Sequence, residues 1–263
     1  MIFVVFFNGG NSERIIPIFG VVIYAIVNSL IGFLDDFLKV KRNQNKGLSA
    51  PSKFALQSIA SVAFLVFLSR IAGISTALKI PFTSISFNIG IFYYFFAYLL
   101  LCGFVNAVNL TDGLDGLATS SMLPVSALAS IVGIFVFDDF SVIFLGAMLL
   151  GLLVSFLIYN RHPAKIFMGD TGSLFLGGIL AGFALCIDNA LLVFLFGFVY
   201  LCEAASVIIQ VLYFKITHGK RIFKMAPLHH HLEKCGWSEN KIVTAFAIIN
   251  SVACMFALLG TLL

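Results

Sequence analysis

Eight apolar stretches, each close to the ~20 residues that carry a helix across a bilayer, alternate with short polar linkers. They lie at Ile15–Leu38, Phe54–Ile74, Ile89–Val108, Ala118–Phe137, Phe140–Tyr159, Thr171–Ile187, Ala190–Phe214 and Ile242–Leu263. No linker is long enough for a second folded domain, so residues 1–263 are expected to form one integral membrane domain. The pattern predicts an all-α, polytopic membrane protein. Met1–Phe7 is apolar but too short to span, and it lacks the basic flank of a cleavable signal peptide.

Composition sharpens this picture. The chain is 60% hydrophobic and 11% charged, with a mean hydropathy of +1.06. A soluble domain carries about 25% charged residues, and water could not cover this much apolar surface. Four cysteines lie in apolar runs and Cys235 in a polar linker, with no CxxC pair, so neither a disulfide framework nor a cysteine zinc site is indicated.

Alternating the spans puts four linkers on one side: Lys39–Lys53, Asn109–Leu117, Asn160–Asp170 and Lys215–Lys241. The first holds five basic residues, the third two and the fourth six, thirteen of the sixteen in the chain. By the positive-inside rule that side is cytoplasmic. Arg14, Arg70 and Lys79 fall outside, as do Asp188 and Leu263.

The polar groups that a membrane chain keeps for chemistry gather at the same linkers. Asn106 to Leu117 places Asn106, Asn109, Asp112 and Asp115 after an apolar span, with Gly113 and Gly116 allowing a close backbone approach to a ligand. Asp35 and Asp36 end the first span with Lys39 one turn on, a group able to hold a divalent ion, take a proton or orient a phosphate. Asp170 stands at a helix start after the breaker Pro163, as a cap or as a metal ligand. Phe167 beside it could stack on a planar ring or simply pack. His229, His230 and His231, expected in a loop, cannot all point one way from a helix, which argues against a zinc site from this run alone. Glu203 lies inside a span, as a functional carboxylate or a protonated interhelical one. Carboxylates among so many cations make chemical sense if they hold Mg²⁺ against a diphosphate. No phosphate-binding P-loop is present. A one-sided site also disfavours a transporter, whose polar groups lie near the midplane.

Four motifs in order resemble the polyprenyl-phosphate N-acetylhexosamine-1-phosphate transferases: Leu34–Lys39, Asn106–Leu117, Phe167–Ser173 and Met225–His231. The last, with Gly236-Trp237 after it, is similar to the phospho-N-acetylmuramoyl-pentapeptide transferase branch of that family. The resemblance implies transfer of phospho-MurNAc-pentapeptide from UDP-MurNAc-pentapeptide to undecaprenyl phosphate, giving lipid I and UMP. It also implies a Mg²⁺ cofactor, a homodimer in the bacterial inner membrane among membrane lipid, an active site on the cytoplasmic face, and no nucleic-acid partner. Carried onto this chain, Asp170 would bind the metal, and Asp35 and Asp36 would bind or deprotonate the lipid phosphate. Asn109, Asp112 and Asp115 would line the same pocket, with Asn106 continuing its polar stripe. Asn160 and Phe167 would lie at the nucleotide, the three histidines at phosphates or sugar, and Lys39 and Lys46 would pair with phosphates. Family members have ten spans and a Gly-Thr-Pro-Thr-Met-Gly-Gly motif before the paired aspartates. This chain is therefore expected to begin inside the second span, with Met1–Phe7 as its tail. A truncated, non-catalytic relative that pairs with an intact copy is the alternative reading. An intramembrane aspartyl protease is a more remote one, since Asp170 begins a span instead of sitting within it. The glycines of Gly178-xxx-Gly182 offer a close helix contact, a weak pointer to a dimer face.

Overall fold

The computed structural model describes residues 13–44, 46–187 and 189–262. Met1–Phe7, Asp188 and Leu263 lie outside the described residues. Eight helices among these residues are long and apolar enough to cross a membrane. In chain order they are α1 (Ile15–Lys41), α2 (Ala50–Phe67, prolonged by a π turn to Ala72), α3 (Phe92–Thr111), α4 (Leu117–Val132, prolonged by a π turn to Phe137), α5 (Phe140–Asn160) and α6 (Gly169–Cys186). After a short α7 (Val193–Phe196) come the span α8 (Phe198–Ile216), the seven-residue α9 (Leu228–Lys234) and the final span α10 (Glu239–Leu262). The protein is a multi-pass, all-α membrane protein, and seven of the eight predicted spans each correspond to one of these helices.

The centre of the bundle is α6, the most buried of the spans, packed most extensively on α1 and next on α3. The Gly178-xxx-Gly182 stripe makes this possible. A Cβ on Gly178 would stand 2.7 Å from the Ala25 Cα, and one on Gly182 3.0 Å from Val21. The stripe is thus filled by α1 of the same chain and is not a free dimer face. The two helices run antiparallel. At one end Arg14 opens α1, its N–H donating to Asp139 (2.8 Å) and its guanidinium to the Cys186 carbonyl that closes α6 (3.2 Å). At the other end the last turns of α1 meet the first turn of α6, and the site lies there.

The structure departs from the sequence reading in three elements. Ala190–Phe214 is not one helix: a 3-10 turn and α7 end at Gly197, and α8 starts afresh. Asn250 of α10 takes up the backbone groups freed by the break. Its amide donates to the Phe196 carbonyl (3.2 Å) and its oxygen accepts from Val199 N–H (3.4 Å). In a bilayer such groups have no water to turn to. The same amide reaches the Ser121 carbonyl (2.7 Å) in α4, one turn before Pro124. A small antiparallel hairpin, β1 (Ala77–Lys79) with β2 (Ser86–Asn88), joins α2 to α3 and was not foreseen. The histidine run, expected in a loop, lies on α9.

Candidate active site

The site is assembled from the ends of four helices. The final turns of α1 present Asp35, Asp36 and Lys39, the first turn of α2 Lys53, the last turn of α3 Asn109, and the start of α6 Asp170, Thr171 and Ser173. Ser49 caps α2, its hydroxyl accepting from Ser52 N–H at 3.3 Å, which holds Lys53 in the first turn. Gly32 is what lets α1 come this close to α6, because a Cβ there would collide with the Asp170 carbonyl.

Asp170 is the hub. Its Oδ2 receives the Lys39 ammonium at 2.8 Å and that of Lys53 at 3.0 Å, and its Oδ1 accepts from the Asn109 amide at 2.7 Å. Asn109 also donates to the Ser173 hydroxyl at 2.9 Å. Lys39 lies at the same time 2.6 Å from Asp35 and 3.3 Å from Asp36. Asp35 is buried and accepts the Leu48 N–H at 2.7 Å. Asp36 accepts from the Thr171 backbone N–H (3.0 Å) and hydroxyl (2.9 Å) at the α6 N-terminus, where free N–H groups favour an anion. Each of Asp35, Asp36 and Asp170 offers one carboxylate oxygen within 4.8 Å of the others. Three hard oxygen donors around one point suit Mg²⁺, and the Lys39 ammonium at their centre marks the spot as one for a cation. The residues present fit that ion.

Asp112 caps α3 beside this group. Burial first, then the negative charges of Asp170 and Asp36, pushes its carboxyl up to about 7. Asp115 faces elsewhere. Its carboxylate lies 3.1 Å from His162 Nδ1 and accepts the Ala164 N–H at 2.9 Å, while its own N–H donates to Glu239 at 2.6 Å. Glu239 is in turn 2.9 Å from the same His162 nitrogen, so Asp115 ties the linkers before α4 and α6 to the start of α10.

The histidines diverge, as their spacing requires. His229 is buried, with its Nδ1 2.9 Å from Glu203 and its backbone N–H donating to the same carboxylate at 3.1 Å. Its Nε2 is buried without a partner and presses on Gly113, where there is no room for a Cβ. His230 pairs with Glu233 at 2.6 Å, and His231 accepts the Lys224 N–H at 3.1 Å. Glu203 is therefore an interhelical partner of His229.

Besides Asp115 and the histidines, three more predicted residues lie apart from the carboxylates. Asn106 forms an amide pair with Gln57 (2.9 Å) that joins α3 to α2. Asn160 is buried, accepting from Thr119 (2.8 Å) and donating to the Ile166 carbonyl (3.0 Å), so it shapes the linker that carries Phe167. Lys46 is exposed and makes no ion pair with a described residue. The Phe167 ring is 75% exposed, free to meet a planar ligand. Lys53, Thr171 and Ser173 were missed, although Lys53 follows a Ser-Ala-Pro-Ser helix start at the basic end of the molecule.

Fold and site together define a polytopic membrane protein that gathers carboxylates, lysines and amides at one end of its bundle. A family model described as Glycosyl transferase family 4 matches residues 18–188, and the chain belongs to that family. It is 46% identical over 241 residues to the Phospho-N-acetylmuramoyl-pentapeptide-transferase of Clostridium botulinum, covering 91% of this chain and 73% of the relative. Relatives of the same name from Clostridium perfringens (45% over 238 residues, 90% and 74%) and Oceanobacillus iheyensis (44% over 231 residues, 88% and 69%) match similarly. The resemblance read from the four motifs holds. The protease reading is not favoured, since the carboxylates cluster with lysines at helix ends. The non-catalytic reading gains no support either.

Proposed function

We propose that the protein transfers phospho-MurNAc-pentapeptide from UDP-MurNAc-pentapeptide to undecaprenyl phosphate, releasing UMP and forming lipid I. The names of its relatives support this reading. The observation that carries it is Asp170 held between Lys39, Lys53 and Asn109, with Asp35 and Asp36 in reach. In the reaction a lipid-phosphate oxygen bonds to the phosphorus attached to the sugar, and the bond from that phosphorus to UMP breaks. Charge builds on the leaving phosphate, and cations placed in advance are the main source of catalysis in phosphoryl transfer. Lys39 and Lys53 supply them. Asp35, Asp36 and Asp170 are the residues that would hold Mg²⁺, which supplies charge neutralisation on the diphosphate. Asp36, fixed by Thr171, takes the proton of the lipid phosphate. Asp112, with its carboxyl near neutrality, is the second candidate for proton exchange.

The thirteen cations at this end support a cytoplasmic face of the bacterial inner membrane. The test is product formation in detergent with both substrates. Lipid-linked product and UMP appear in equal amounts, chelation of Mg²⁺ stops both, and D36N lowers the rate by ~100-fold or more. Absence of product from folded wild-type protein with Mg²⁺ contradicts the proposal.

A further inference from the structure

A second cationic site lies outside the carboxylate pocket. A cavity of about 540 Å³ opens between the C-terminal half of α8 and the segment leading to α9. Lys215, Arg221, Lys224 and Lys234 line it, all exposed. Its floor is apolar, from Val207, Val211 and Phe214 of α8 and Met225. Gln210 holds the shape by accepting the Ile222 and Phe223 N–H groups at 3.2 and 2.9 Å, and the Lys224 ammonium donates to the Lys234 carbonyl at 3.0 Å.

The charges here are unbalanced. In the carboxylate pocket Lys39 and Lys53 meet aspartates. From residue 204 to 238 the chain has one acid, Glu233, and it is bonded to His230. Four cations around one cavity, with no carboxylate among the described residues that line it, call for an anion from outside the chain. The floor says which kind. α8 is the least buried of the spans, and Ile208, Val211 and Leu212 stand open along it, so the cavity is continuous with a bilayer-facing surface. Lys215 follows Phe214 in the last turn of α8. A soluble anion would use the cations and leave the floor empty, whereas a lipid uses both.

We infer that this cavity binds the headgroup of an anionic bilayer phospholipid, its phosphate among the four cations and an acyl chain along α8. Each such cation near an anionic membrane contributes a factor of about five. Native mass spectrometry of the purified protein with phosphatidylglycerol and phosphatidylcholine of matched chains tests it. Wild type should retain phosphatidylglycerol in preference. K215Q/R221Q/K234Q should lose that preference by ~100-fold, and the charge-keeping K215R/K234R should preserve it. These residues lie outside the proposed transfer machinery, so basal exchange of UMP should persist in all three proteins. Undiminished lipid preference in the triple glutamine variant overturns the inference. So does displacement of the lipid by inorganic phosphate at equal concentration, which would make the site one for a soluble anion. A rise in KM for the nucleotide substrate with lipid retention unchanged overturns it too, assigning the cavity to that substrate.

Discussion

Burial first, and then the negative charges of Asp170 and Asp36, push the Asp112 carboxyl up to about 7 from an ordinary 3.8. Between those values the folded protein keeps a proton that the unfolded chain releases, so stability from this group falls as pH rises through that window. D112N, neutral at every pH, should raise the Tm by several degrees at pH 8 in metal-free detergent and leave it unchanged near pH 4. A pH-independent difference would place the cause elsewhere. Asp35, Asp36, Asp112 and Asp170 could be picked from the sequence because charge at the edge of an apolar span has few other reasons to be there. Lys53 was harder to pick, because the Ser49-Ala50-Pro51-Ser52 helix start marks its turn but its partner Asp170 is 117 positions away. Asn106 and Asn160 looked alike in sequence to Asn109. Only packing separates the amide that meets Asp170 from those that bind Gln57 or hold a linker.

Helices were legible where length and apolarity suffice. The break at Gly197 was not, since a single glycine in an apolar run is a weak signal and its compensation by Asn250 comes from 53 residues later. Removing that compensation isolates its worth. N250L should cost about 2–4 kcal/mol, the sum of two or three backbone groups left unpaired. Thermal unfolding in detergent should show the loss, while A247L on the same helix should change little. An N250L protein as stable as wild type would mean that the break needs no side-chain support. The three histidines of α9 likewise take separate partners because a helix turns them about 100° apart. H229N should therefore loosen the contacts that His229 makes with Glu203 and with Gly113 and lower the Tm, whereas H231N should not.

At the scale of the molecule, antiparallel spans deliver every residue of the carboxylate pocket to one end and Arg14 with Asp139 to the other. That placement was legible, since the lysine count and the acidic clusters gave the same side. Cys235 is exposed at the pocket end, and Cys102, Cys186 and Cys254 are buried. A membrane-impermeant maleimide should label Cys235 in inside-out vesicles and spare it in intact cells; the reverse would invert the topology. On the proposed function, helix ends far apart in sequence converge to hold one divalent cation where phosphate chemistry occurs. Electron paramagnetic resonance with Mn²⁺ in place of Mg²⁺ measures it most directly on the purified protein. Wild type should bind one Mn²⁺ that Mg²⁺ displaces, and D170N should bind it at least ~10-fold more weakly. Equal Mn²⁺ affinity in the two proteins, or none in wild type, would mean that Asp35, Asp36 and Asp170 do not hold the ion.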